Sequence, residues 1–69
     1  MKTVKLNKEI YEKDMVKSAI KAYRGLCDVN LCSSKDYYIC IFKNCRYDEN
    51  LTTAEFENYV IDLMNCSAT

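Results

Sequence analysis

The sequence predicts an α+β domain in the order β-α-β-β-α, a three-stranded sheet with two helices on one face. Three observations predict it. Residues 26–33 and 37–43 are rich in β-branched, aromatic and other apolar residues, and the polar break Ser34-Lys35-Asp36 between them reads as the turn of a hairpin. Residues 8–24 and 52–65 repeat their apolar side chains at helical spacing. A short alternating stretch, 3–6, stands before the first helix, with Val4 and Leu6 set against Thr3 and Lys5.

In chain order, the strand 3–6 ends at Asn7, a residue type suited to cap a helix over 8–24. Tyr11, Met15, Val16, Ala19, Ile20, Ala22 and Tyr23 fall on one broad side of that helix, and Lys13, Lys17, Lys21 and Arg24 gather on the other. The only glycine, Gly25, stands where a left-handed C-cap residue is wanted. The first hairpin strand alternates Cys27, Val29 and Leu31 with Asp28, Asn30 and Cys32, so one of its faces is wet. The second, Tyr37-Tyr38-Ile39-Cys40-Ile41-Phe42, has no polar interruption and reads as the middle strand of the sheet. Residues 44–50 read as a connecting loop. Thr52-Thr53-Ala54-Glu55 then fits a capping box, with Leu51 and Phe56 as a hydrophobic staple. Phe56, Tyr59, Val60, Leu63 and Met64 follow at core-facing spacing to about residue 65, with 66–69 frayed. This is the ferredoxin-like β-α-β-β-α-β pattern without its last strand, which implies the strand order first, third, second.

The totals bound the possibilities. A chain of 69 residues makes a single domain, 1–69, and one of this size depends on a staple, a partner or very good packing. The formal net charge is zero, but residues 1–24 carry seven Lys or Arg against three acids and the remainder carries three against seven. The plain explanation is a basic first helix complementing an acidic second one. The functional explanation is an anionic partner on the ridge Lys13, Lys17 and Lys21, although a neutral chain argues against nucleic acid. Five cysteines with no His, no C-x2-C spacing and an odd count discourage both a metal site and a disulfide reading. No apolar run in residues 1–14 could serve as a signal peptide, and no stretch is long enough to span a membrane. A cytoplasmic protein with reduced thiols is the expectation.

No catalytic constellation is present. There is no His, no phosphate loop and no G-x-S-x-G, so neither an enzyme nor a cofactor is expected. Cys45 beside Arg46 is the one thiol that a neighbouring cation would activate. Tyr37, Tyr38 and Tyr47 lack interleaved basic residues on the strand, which favours sheet packing over base stacking. What the pattern offers instead is surface. If Val29, Leu31, Ile39 and Ile41 point to the helices, Tyr38, Cys40 and Phe42 face away from them beside Cys32; in the opposite register that patch is core. Helices on one side leave the other side of the sheet bare, and the strand 3–6 has an open edge. Thr3, Lys5, Cys32, Tyr38, Cys40 and Phe42 are therefore the expected partner-binding residues. Capture of a peptide by strand addition and homodimerisation use the same surface.

The strand V-x-L at Val4 and Leu6, then Tyr11, the helix with Ala19 and Tyr23, the hairpin, and the closing Glu55-Phe56-x-Asn58-x-x-Ile61-Asp62 together resemble the small HxsD-type proteins of the His-Xaa-Ser systems. The resemblance spans about residues 3–65. Leu63-Met64-Asn65-Cys66 departs from the Leu-Arg type of close in that family, as does the cysteine content. The resemblance implies an accessory member of gene clusters that make ribosomal peptides and modify them with radical-SAM maturases. Joined to the open edge and face, it leads to the expectation of a non-catalytic adaptor that binds a precursor peptide or a maturase. The alternative is a small dimeric inhibitor or regulator, phage-borne, that works by protein–protein binding.

Overall fold

The computed structural model describes residues 1–67 and has the expected order: β1 (Lys2–Asn7), α1 (Lys13–Tyr23), β2 (Asp28–Ser33), β3 (Tyr37–Lys43) and α2 (Glu49–Ser67). The sheet order is β1-β3-β2, with β3 antiparallel to both neighbours. The doubly apolar strand is therefore central, as its composition predicts. Of the stretch expected to fray, α2 continues through Ser67, and residues 68–69 lie outside the described residues.

The buried face of β3 is the opposite of the one expected. Cys40 and Phe42 are both 0% exposed and Tyr38 is half-buried on their side, whereas Ile39 and Ile41 alternate onto the face without helices. The turn is the cause. Ser34 N–H donates to the Tyr37 carbonyl at 2.8 Å and Tyr37 N–H donates to Ser34 Oγ at 3.2 Å, which leaves Lys35-Asp36 as a two-residue loop. Ser33 consequently pairs with Tyr38, Leu31 with Cys40 and Val29 with Phe42. A three-residue connection would pair Ser33 with Tyr37, and that single step moves every side chain of β3 to the other face.

The core forms where β1 and β3 meet the helices. Val4 and Leu6 of β1 join Cys40 and Phe42 under Val16 and Ala19 of α1 and Phe56 and Val60 of α2. Phe56 stands edge-on to Phe42 at 5.0 Å and to Tyr23 at 5.5 Å, so one ring ties the sheet to both helices. Burial, with Glu55 and Tyr59 nearby, holds the Tyr23 hydroxyl above its usual pKa. Among the described residues no ion pair joins α1 to α2, so the charge complementarity expected of the two helices is not what holds them together.

A side-chain cap sets the start of α2 but not of α1, whose N-cap residue Glu12 makes no side-chain cap hydrogen bond. Asn7 caps only a turn, its Oδ1 accepting from Glu9 N–H at 2.8 Å and its carbonyl from Ile10 and Tyr11, and α1 begins at Lys13 rather than at residue 8. Gly25 does not adopt a positive φ; α1 ends on Arg24 in the right-handed region, and a turn of Leu26 and Cys27 N–H onto the Tyr23 carbonyl carries the chain out. For α2 the cap is Asp48, whose Oδ1 accepts from Asn50 N–H at 2.9 Å and Leu51 N–H at 3.1 Å. An aspartate one turn upstream is a better cap than Thr52 and takes precedence. Thr52 and Thr53 are buried inside the helix, their hydroxyls donating to the carbonyls of Asp48 and Asn50, and Leu51 is 60% exposed rather than stapled.

The largest departure concerns the thiols. Arg46 N–H donates to the Leu26 carbonyl at 2.9 Å, while two residues on, Asp28 pairs with Lys43. Asn44 and Cys45 thus oppose Cys27 alone, and Asn44 takes φ 54° as the extra residue of a bulge. The bulge brings the Cys27 and Cys45 Cα atoms to 4.2 Å, and the two are joined in a disulfide that closes the open end of the hairpin. The expectation of reduced thiols throughout fails at this pair. Cys32, Cys40 and Cys66 lie outside it.

Candidate functional site

The sheet leaves one face and two edges uncovered among the described residues, because both helices lie on the side of Val4, Leu6, Cys40 and Phe42. On the bare face the register sets Lys5, Ile39 and Cys32 in one row across the three strands and Thr3, Ile41 and Asn30 in the next. Ile39 and Ile41 are half-buried by these flanking side chains, while Thr3, Lys5, Asn30 and Cys32 are exposed. The result is a narrow β-branched strip with polar margins. Tyr37 extends it at one end, with the Lys5 ammonium 5.9 Å from its ring centre. Beyond Tyr37 lies an open groove of about 450 Å³ lined by Asn7, Lys8, Glu9, Lys35, Asp36 and Tyr37. Lys8 N–H donating to the Asp36 carbonyl at 2.9 Å ties the hairpin turn to the end of β1 there.

Of the six residues expected to bind a partner, the structure groups Thr3, Lys5 and Cys32 on this face and removes the other three. Cys40 and Phe42 are core, and Tyr38 lies on the helix side with the Lys8 ammonium 5.3 Å from its ring centre. Ile39 and Ile41 take their place. The signal that would have found them is the Lys35-Asp36 turn, since a two-residue loop pairs odd positions with even ones.

The thiols are chemically unequal. Burial, with a smaller contribution from Cys32, pushes the Cys40 thiol up to about 11, which makes it a poor nucleophile at neutral pH. Cys45, the one thiol with a cation, Arg46, beside it in the sequence, is held in the disulfide. Among the described residues no group of three or more His, Cys, Asp or Glu is placed to hold a metal ion, and no helix is long and apolar enough to cross a membrane.

Lys13, Lys17 and Lys21 are exposed along α1, and Arg24 continues their row. Among the described residues none of the four forms an ion pair. A second open groove, of about 410 Å³, lies between the C-terminal end of α1 and the start of β2, and Ile20, Arg24, Val29 and Asn30 are among the residues lining it. Compared with family models, with curated proteins and with solved structures, the chain matches none of them.

Proposed function

We propose that this chain is a non-catalytic accessory protein that holds a peptide or protein partner on its sheet, at the free edge of β1 and on the bare face centred on Ile39 and Ile41. The observation that carries this reading is the joining of the two features: an apolar strip runs beside an edge strand whose outward backbone groups have no partner among the described residues. An added strand would satisfy that edge, and a partner segment following it would cross Thr3 and Lys5 to cover the strip. Thr3 and Lys5 at the edge and Cys32 across the strip supply its polar margin.

The resemblance to HxsD-type proteins supplies the partner class, a precursor peptide or the maturase that modifies it. A cytoplasmic location goes with that role. Reducing conditions there work against the Cys27–Cys45 bond, so the proposal requires the domain to stay folded without it. The test is the affinity for a precursor peptide and a maturase encoded beside this chain, measured with the wild type and with Thr3→Asp, Lys5→Asp and Ile41→Lys. A loss of about tenfold or more with retained circular dichroism supports the site; unchanged affinity in all three variants overturns it. Light scattering over a concentration series tests self-association through the same face, and a dimer broken by Ile41→Lys would favour the dimeric regulator instead.

A further inference from the structure

We propose that the groove between α1 and the outer edge of β2 receives an extended acidic peptide, which adds to β2 as a strand and aligns its carboxylates with Lys13, Lys17, Lys21 and Arg24. This site lies on the edge opposite β1 and stands or falls independently of the proposal made for that edge. Three observations converge on it.

The first is the edge itself. β2 is terminal in the sheet, so its outward N–H and C=O groups have no strand partner among the described residues. Val29 and Leu31 are half-buried on its helix side, with Ile20 of α1 facing the same groove as Val29. A partner strand would therefore find unpaired backbone hydrogen-bonding groups along this edge.

The second is charge. Arg24 lines the groove directly, and Lys13, Lys17 and Lys21 precede it at spacings of eleven, seven and three residues, which keeps all four on one side of a helix. Lys43 also lines the groove. None of these five cations has an ion-pair partner among the described residues. The one carboxylate lining the groove, Asp28, already accepts a hydrogen bond from Asn44 Nδ2 at 2.9 Å.

The third is repeat distance. β1 and β2 are both antiparallel to β3, so α1, which connects them, runs back antiparallel to β2, and its Ile20 and Arg24 line the groove with Val29 and Asn30. Residues four apart on a helix recur about every 6 Å along its axis. Alternate residues of a strand recur about every 6.6 Å and point to the same side. A peptide with an acid at every second position thus stays in step with Lys13, Lys17 and Lys21 over three successive residues of the ridge. Nucleic acid would meet the cations but leave the β2 edge unpaired, which is why the geometry favours a peptide.

The test uses a fluorescein-labelled eight-residue peptide alternating glutamate and valine, titrated against the full chain at low salt. Alongside it run a lysine–valine peptide, a glutamate–valine peptide interrupted by two prolines, and a single-stranded octanucleotide. Binding of the alternating acidic peptide should weaken at least about tenfold when Lys17→Glu and Lys21→Glu are combined, and again in 0.5 M salt. Amide exchange at Val29 and Leu31 should slow on binding, while that at Thr3 and Lys5 should not. Either variant lysine is exposed, so the fold should survive, and circular dichroism checks it. The proposal is overturned by the absence of binding at millimolar peptide, by equal binding of the proline-interrupted peptide, by protection on β1 rather than β2, or by an octanucleotide that binds as tightly.

Discussion

Reducing the Cys27–Cys45 disulfide should remove a large share of the stability of this domain while leaving its architecture recognisable. The bond joins residues 18 apart in sequence, and closing a loop of that length in the unfolded chain is worth about 3 kcal/mol on the chain-entropy account. A domain of this size has a total stability of about 4–10 kcal/mol, so the loss is between about three tenths and three quarters of the whole. With a urea dependence of about 1 kcal/mol per molar, the midpoint should fall by about 3 M. Reduction is a cleaner perturbation than replacement, because Cys27 is almost wholly buried and an alanine there would add a cavity cost. The assay is urea unfolding followed by far-ultraviolet circular dichroism, with and without reductant, together with a thiol count by alkylation and mass. Denatured without reductant, the chain should take up three labels; denatured with it, five. Five labels without reductant would refute the pairing, and coincident midpoints would refute the argument that loop closure stabilises the fold.

Four further outcomes follow from the packing. Phe42→Ala should cost about 3–5 kcal/mol and Ile41→Ala about 1 kcal/mol or less in urea unfolding, and the reverse order would return the other face of β3 to the core. Asp48→Ala should cost about 0.5–2 kcal/mol through the lost α2 cap, whereas Glu55→Ala should change stability by no more than about 0.5 kcal/mol. Gly25→Ala should raise the thermal midpoint, by about 0.4–1 kcal/mol of stability, since Gly25 has no positive φ and nothing lies within 4 Å of an added Cβ. The buried Cys40 thiol is raised from 9.0 to about 11, so on unfolding it loses its proton first in the unfolded chain. Its contribution is fully present below 9.0 and is lost as pH rises to about 11. Cys40→Ala should therefore flatten the decline in stability over that window, measured as urea midpoints from pH 8 upward, and an unchanged slope would count against it.

The sequence by itself determined the five elements, their order and the central place of the strand at 37–43, because these rest on signals carried by near neighbours. Alternation at Thr3 to Leu6, helical spacing from Phe56 to Met64 and the unbroken run Tyr37 to Phe42 are local, and the β-α-β-β-α order then limits the sheet to few arrangements. The candidate site was legible only in part: Thr3, Lys5 and Cys32 were found, and Ile39 and Ile41 were exchanged for Cys40 and Phe42. Only the tertiary structure decided that exchange, because side chains on a strand alternate with period two and one residue more or less in the Ser34–Tyr37 turn reverses both faces. It likewise decided the partner of Cys27. Cysteine spacing says nothing of a bulge at Asn44, and it is the bulge, a long-range matter of how β2 and β3 align, that sets Cys45 opposite Cys27.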